Sequence, residues 1–252
     1  MIPKIIHYCW FGKNEKSEVI QKCINSWKKF FPDWKIIEWN EDNYNINKHQ
    51  YTIDAYNAKK WAFVSDVARL EILYEYGGIY LDVDVEFINE LSPNILDKAC
   101  FMGFEPTGLI APGLILGCEA KNPFIKQIVD LYKDERFYEQ SNGIYNTINL
   151  RITNFLCDKG LEKIDKYQEV DNVTIYPSEF FCGYDTDIME PKITRNTISW
   201  HHYLGSWSKI TKKKRIQILL KKVFGFKVYR LILITVRVIR GDLNAFTRFF
   251  KN

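Results

Sequence analysis

The sequence predicts an α/β fold built on an open, mostly parallel sheet, on three observations. Through the first ninety residues, apolar runs of strand length alternate with runs of helical period. That strand–helix–strand–helix–strand order is what parallel sheets with crossover helices produce. Residues 79–87 alternate strictly: Ile79, Leu81, Val83, Val85 and Phe87 stand between Tyr80, Asp82, Asp84 and Glu86. The 252 residues are 46% apolar and 26% charged, which suits a soluble chain with its own core and excludes disordered, collagen-like and multi-span membrane classes.

Residues 5–11 (IIHYCWF) form a buried-strand pattern. After Gly12 and a polar stretch, an amphipathic helix is expected over 17–30, stopped by Pro32. Residues 34–39 (WKIIEW) are a second strand. A polar loop at 40–50 leads to one long helical pattern over 53–76, closed by Gly77-Gly78 as glycine closes helices. The 79–87 strand follows, and its period of two puts all three acids on one face. Shorter strands are expected at 100–104 and 114–117, helices at 123–132 and 142–157, and late strands at 173–176 and 197–204.

The net charge of +4 hides a division. Residues 209–252 hold thirteen Lys and Arg against one acid, Asp242, so the tail carries +12 and the body −8. The expected organisation is therefore a 1–208 globular domain and a 209–252 basic tail. In the tail, Ile216, Leu219, Leu220, Val223 and Phe224 recur at helical spacing with Lys221 and Lys222 between them. A basic amphipathic helix lying on an anionic membrane surface fits that pattern. The six cysteines are scattered, with no Cys-x-x-Cys pair, as free thiols in a reducing compartment are. With no leader-like run before Ile2, the expected location is cytoplasmic, peripheral at the inner face of the cell membrane.

Asp82-Val83-Asp84 is the first candidate for chemistry. Two carboxylates two apart at a strand end can hold a hard divalent cation, which in turn binds a diphosphate. Alone the motif is weak: with fifteen Asp, chance supplies roughly one Asp-x-Asp, and Asp185-Thr186-Asp187 is a second. Context strengthens it. Three acids on one face repel unless something cationic lies between them. Asp66 and Arg69, three apart on the preceding helix, share a face of it. A surface ion pair and a substrate-binding pair both fit that spacing.

The run FVSDVARLEILYEYGGIYLDVDVEF resembles the sugar-nucleotide site of DXD-type glycosyltransferases. It is similar to glycosyltransferase family 32, which includes bacterial capsular-polysaccharide transferases and fungal initiating α-mannosyltransferases. Its Asp-x-x-Arg and Asp-x-Asp also resemble those of the large clostridial glucosylating toxins. IPKIIHYCWFG, PDWKIIEWNEDNY and SWHHYLGSW extend the resemblance across residues 2–207.

The resemblance implies a GT-A fold, retention of anomeric configuration and dependence on Mn²⁺ or Mg²⁺. It implies that Trp10 stacks on the nucleobase, and that Ser65, Asp66 and Arg69 contact ribose and donor sugar. Tyr80 matches a donor-contacting position, Asp82 the ribose- and metal-proximal acid, and Asp84 the direct metal ligand. His202, in His-x-x-Gly, matches a third metal ligand, with His201 as the alternative. Ser206 and Trp207 match a pair whose donors reach the leaving diphosphate, so Asp66, Arg69 and Trp207 are the catalytic candidates. Glu105, in GFE, fits either a position near the donor sugar or a solvated loop.

The expected activity is transfer of a hexose or N-acetylhexosamine from a nucleotide sugar, UDP ahead of GDP, to a glycan or lipid-linked acceptor. Capsular polysaccharide or lipopolysaccharide synthesis is the expected setting. Three alternatives differ in class. Asp82-Val-Asp84-Val resembles the nucleophile strand of haloacid-dehalogenase-like phosphatases, but Glu86 departs from that pattern. A nucleic-acid-binding module would use the basic tail, which lacks a recognised motif, so no nucleic-acid partner is expected. A non-catalytic lectin-like relative would bind donor without consuming it.

Overall fold

The computed structural model describes residues 1–138, 145–185 and 190–204, with residues 225, 228, 229 and 235 besides. The chain divides into two compact units, Met1–Asp185 with Pro191–Trp207, and Thr186–Glu190 with Ser208–Asn252. The amphipathic helix expected in the tail lies outside the described residues. No helix among the described residues is long and apolar enough to cross a membrane.

The first unit runs β1 (Ile5–Cys9), α1 (Glu18–Phe30), β2 (Lys35–Trp39), a 3-10 turn (Ile46–Lys48), α2 (Gln50–Asn57), α3 (Trp61–Tyr76), β3 (Gly78–Tyr80), β4 (Val85–Phe87), α4 (Pro93–Leu96), β5 (Cys100–Gly103), β6 (Leu116–Cys118), α5 (Pro123–Asp130), α6 (Ile148–Cys157), β7 (Gln168–Val170), β8 (Val173–Tyr176) and α7 (Ser178–Phe181). The short strands β9 (Tyr184–Asp185), β10 (Glu190–Pro191) and β11 (Ser199–His201) follow.

Seven strands form one sheet in the order β2-β1-β3-β6-β5-β8-β7. β1 runs parallel to β2 and β3, and β5 parallel to β8, while β6 and β7 are reversed. Five of the seven therefore point one way. The pleat sends alternate side chains to opposite faces. Ile6, Ile79 and Phe101 pack with α1 and α7 on one face; Cys9, Tyr80 and Met102 pack with α2, α3, α5 and α6 on the other. The predicted class, an open mostly parallel sheet with helices on both faces, is borne out.

Two predicted elements are broken. The expected 53–76 helix is two, α2 and α3, because the chain turns at Lys59 into the left-handed region (φ 57°). No glycine marks this break. The expected 79–87 strand is also two. Leu81 N–H still bonds His7 O at 3.1 Å, but Val85 N–H turns back to Asp82 O at 3.1 Å. The chain then leaves the main sheet, and β4 pairs antiparallel with β11. The Trp27 indole N–H donates to Val85 O at 2.8 Å, and Phe87 N–H donates to Ser26 Oγ at 2.9 Å, so α1 also holds β4.

His7 ties β1 to the end of α3. It is fully buried. Its Nδ1 accepts from the Trp39 indole at 3.0 Å, so Nε2 carries the hydrogen and donates to Gly77 O at 2.9 Å. Burial above all, with the Lys35 charge and against the Gly77 bond, lowers its pKa to about 4. A depressed histidine contributes stability present above the unfolded pKa of about 6.5, which is lost as pH falls towards 4. Asp66, raised by burial to about 6, acts in the opposite sense. The expected result is therefore a difference. The stability advantage of wild type over His7→Gln should shrink by about 2 kcal/mol between pH 7.5 and 5. Urea unfolding at the two pH values measures it, and a constant advantage would refute the neutral buried imidazole.

Candidate active site

The carboxyl edge of the sheet is where open α/β folds place ligands. Trp10 follows β1 there, and Leu81 to Asp84 follow β3. On that edge α3 presents Asp66 and Arg69, brought together by the three-residue spacing read in the sequence. Arg69 is 4% exposed, so this is no surface ion pair. Its Nη2 meets Asp66 Oδ1 at 3.0 Å and Asp82 Oδ1 at 3.3 Å, and its Nε donates to Ser65 O at 3.1 Å. The guanidinium carbon lies 4.5 Å from the centre of the Tyr80 ring, and the Tyr80 hydroxyl donates to Asp82 Oδ1 at 3.2 Å. Burial works against the charge on Arg69, but Asp82, Tyr80 and Asp66 outweigh it. Burial raises Asp66 to about 6 despite Arg69, with the Asp82 charge adding to the rise. The Ser65 side chain is engaged within its own helix, donating to Trp61 O at 3.1 Å.

Sequence reasoning passed over Gly113. Its carbonyl accepts Asp82 N–H at 2.9 Å. A Cβ there would stand 2.1 Å from Asp82 Oδ2 and 3.2 Å from Arg69 Nη1, so only glycine leaves room for the carboxylate in the Arg69 fork. The Pro112-Gly113 pair is a turn signal in the sequence, but nothing local points it at a carboxylate 31 positions away.

The three acids do not share a face. The break after Asp82 gives each its own cation. Asp82 takes Arg69. Asp84 takes His201, with Nε2 to Oδ1 at 2.9 Å, and its Oδ2 accepts Leu204 N–H at 2.9 Å. Burial raises Asp84, yet His201 and the Leu204 N–H hold it below the usual carboxylate range. Glu86 faces α1, where Lys22 Nζ lies 2.8 Å from Oε1, and His202 Nε2 lies 2.8 Å from Oε2. The mutual repulsion the sequence implied is thus resolved by separation.

The same geometry separates the two histidines. Sequence similarity groups Asp82, Asp84 and His202; the structure gives His201 to Asp84 and His202 to Glu86. Consecutive residues at the end of β11 point to opposite sides. The register Trp200 with Glu86 and His201 with Val85 decides which imidazole reaches Asp84. Tyr203, with φ 49°, turns the chain so that Leu204 N–H also reaches it. Burial lowers the His201 pKa, but the Asp84 carboxylate outweighs it and leaves it raised.

Trp10 is half-buried. Its indole donates to Asn14 O at 2.7 Å, and the Lys16 ammonium lies 5.4 Å from its ring centre. Ser206 and Trp207 lie outside the described residues.

Among the described residues, no group of three His, Cys, Asp or Glu converges as a ready metal cage. The donors nonetheless suit a hard divalent ion, since Mg²⁺-type sites take one or two carboxylates and draw the rest from substrate phosphate and water. Asp82 and Asp84 could serve as those carboxylates. His201 adds a buried Nδ1 with no hydrogen-bond partner among the described residues, a ring nitrogen beside Asp84 that could join such a site once deprotonated.

Comparison with known proteins fits this arrangement. Residues 17–102 match the family described as a glycosyltransferase sugar-binding region containing a DXD motif. The chain is 31% identical over 139 residues to inositol phosphoceramide mannosyltransferase 3 of Schizosaccharomyces pombe, covering 51% of this chain and 36% of that protein. It is 26% identical over 140 residues to the mannosyl phosphorylinositol ceramide synthase CSH1 of Saccharomyces cerevisiae, covering 53% and 36%. The match spans little more than a third of the length of these curated relatives. Among solved structures, the PaToxG glycosyltransferase aligns with a TM-score of 0.46 and 20% identity, over 63% of this chain and 69% of that one. The galactosyltransferase LgtC aligns with a TM-score of 0.45 and 13% identity, over 91% and 95%. The matched residues 17–102 include Asp66, Arg69, Asp82 and Asp84, so the part of the chain similar to the DXD-containing sugar-binding region of glycosyltransferases is the part that carries this cluster.

Proposed function

We propose that the chain is a metal-dependent, retaining glycosyltransferase with a GT-A-type fold. It moves a hexose or N-acetylhexosamine from a nucleotide sugar to a glycan or lipid-linked acceptor. The observation that carries this is the network of buried Asp66, Arg69 and Tyr80 with half-buried Asp82, beside Asp84. Burying that many polar groups is costly unless they are paired and used, and here they are fixed at the ligand-binding edge of the sheet. The fungal relatives are named for mannosyl transfer to inositol phosphoceramide, which favours a hexose donor and a lipid-linked acceptor.

Asp66 offers its free lone pairs to donor hydroxyls. Arg69 pairs with Asp66 and Asp82 and orients both. Trp10 supplies an aromatic surface for the base, with Lys16 beside it. Asp82 and Asp84, with His201, would hold Mn²⁺ or Mg²⁺, which supplies charge neutralisation for the diphosphate leaving group. Since both carboxylates are so engaged, neither serves as a covalent nucleophile, which supports front-face attack by the acceptor hydroxyl. Trp207 and Ser206 remain candidates to donate to the leaving diphosphate. The +12 segment 209–252 is the feature that would hold the enzyme at an anionic membrane surface, at the inner face of the cell membrane.

The test is a screen of UDP- and GDP-sugars with Mn²⁺ and with Mg²⁺. The expected result is release of nucleoside diphosphate from one donor class, dependent on metal. No release from any donor, or hydrolysis of simple phosphate esters instead, would overturn the assignment.

A further inference from the structure

Glu105 sits on the same edge as the DXD carboxylates and is the acid there that the scheme above leaves unused. β5 runs parallel to β1 and β3, so its carboxyl end opens beside theirs, and Glu105 lies two residues beyond Gly103. Its backbone is fixed: Phe104 N–H bonds Tyr176 O at 2.9 Å, Glu105 N–H bonds Leu109 O at 2.7 Å, and Gly108 N–H bonds Glu105 O at 2.9 Å. The backbone that carries this half-buried side chain is therefore held by a tight loop.

Its partners differ from those of every other acid in the site. Asp66 and Asp82 share Arg69, Asp84 has His201, and Glu86 has Lys22 and His202. Glu105 has no ion pair among the described residues. Oε1 receives Asn149 Nδ2 at 3.4 Å and Oε2 receives Thr107 Oγ1 at 3.5 Å, both at the outer limit of a hydrogen bond. Burial raises its pKa, with His201 opposing, and its charge is felt by His201, Tyr203 and Cys182. Glu105 thus lies within electrostatic reach of the imidazole that touches Asp84.

A carboxylate offers about four acceptor positions. Here two are filled weakly by neutral donors and none by a cation, so the half-buried carboxylate keeps acceptor positions open on the carboxyl edge. What completes this group is a ligand donor, and neutral hydroxyls are the donors a sugar brings.

We propose that Glu105 is a substrate-binding residue whose carboxylate accepts a hydrogen bond from a hydroxyl of the sugar in the site. This rests on the transferase reading, and the source of the hydroxyl, donor sugar or acceptor, is decided by the test. Asn149 and Thr107 are positioning residues that steady the carboxylate from either side.

The experiment compares wild type, Glu105→Gln and Glu105→Ala, using the donor and metal that wild type turns over. Thermal midpoint and binding of the nucleoside diphosphate alone should be unchanged, because neither involves a sugar hydroxyl. Glu105→Ala should lose about 10- to 100-fold in kcat/KM, the range of a hydrogen bond to a charged group, and Glu105→Gln should lose less because its amide oxygen still accepts. Loss in donor hydrolysis as well as in transfer assigns the hydroxyl to the donor; loss in transfer alone assigns it to the acceptor. A donor or acceptor lacking that one hydroxyl should then show no further loss with Glu105→Ala. If the folded alanine variant keeps kcat/KM within about threefold of wild type in both assays, or if it loses nucleoside diphosphate binding equally, the proposal fails while the transferase assignment stands. If wild type consumes no nucleotide sugar, both fall together.

Discussion

Arg69→Met is expected to cost about 3 kcal/mol of folding stability, because it removes the cation from buried Asp66 and from half-buried Asp82 at once. Methionine fills much of the same space, so the loss is electrostatic and not a cavity effect. Against a total of about 5–15 kcal/mol for a domain, most of the chain would unfold well below the wild-type midpoint. Asp66, already raised to about 6 by burial, would take up a proton more readily and recover part of the loss. The variant should therefore regain stability as pH falls from 7.5 to 5.5, as should Arg69→Met combined with Asp82→Asn. Urea denaturation at both pH values measures this. A loss under about 1 kcal/mol would mean that solvent reaches the pair and that the network is not a buried one.

Asp84→Asn is the substitution expected to cost most in activity, of order 10²-fold or more in turnover of the donor. The amide oxygen can still accept Leu204 N–H, so the fold should persist, with a lower thermal midpoint from the lost His201 pairing. What disappears is the charge that would hold metal and diphosphate. Donor hydrolysis and transfer at fixed Mn²⁺ should fall together. Normal turnover in the presence of metal would remove Asp84 from the reaction and return it to a structural role beneath the β11 segment.

These expectations rest on features of unequal legibility. Asp66 and Arg69 could be paired from sequence because helical spacing is a local rule. The sheet could be foreseen because strand and helix patterns alternate along the chain. The break between β3 and β4 could not: periodicity at 79–87 is unbroken, and the reason for the turn is a partner strand more than a hundred residues later. The same distance hid the choice between His201 and His202. Adjacent residues differ only in which side of β11 they take, and that depends on a register set by Val85 and Glu86. The Lys59 break escaped notice because a lysine, not a glycine, occupies the left-handed position. Reversal of β6 and β7 has no local signature either. Gly113 becomes a functional candidate only once the topology puts its loop on the carboxyl edge, and that same placement is what separates the two settings the sequence left open for Glu105.

The pairing of β4 with β11 also fixes when the site is made. Asp84 emerges during synthesis 120 positions ahead of Leu204, and Glu86 emerges 116 ahead of His202. At about 5–20 residues per second on the ribosome, that interval lasts roughly 6–24 s. Helix α3, β3 and Asp82 are all present by then, so the Arg69 network can assemble on the nascent chain. Asp84 must wait for its imidazole. The Arg69 half of the candidate site is therefore organised first, and Asp84 is closed in by β11, the last of the described strands to arrive. A ribosome stalled shortly after residue 150 would carry a chain with an intact Asp66–Arg69–Asp82 cluster and an open Asp84.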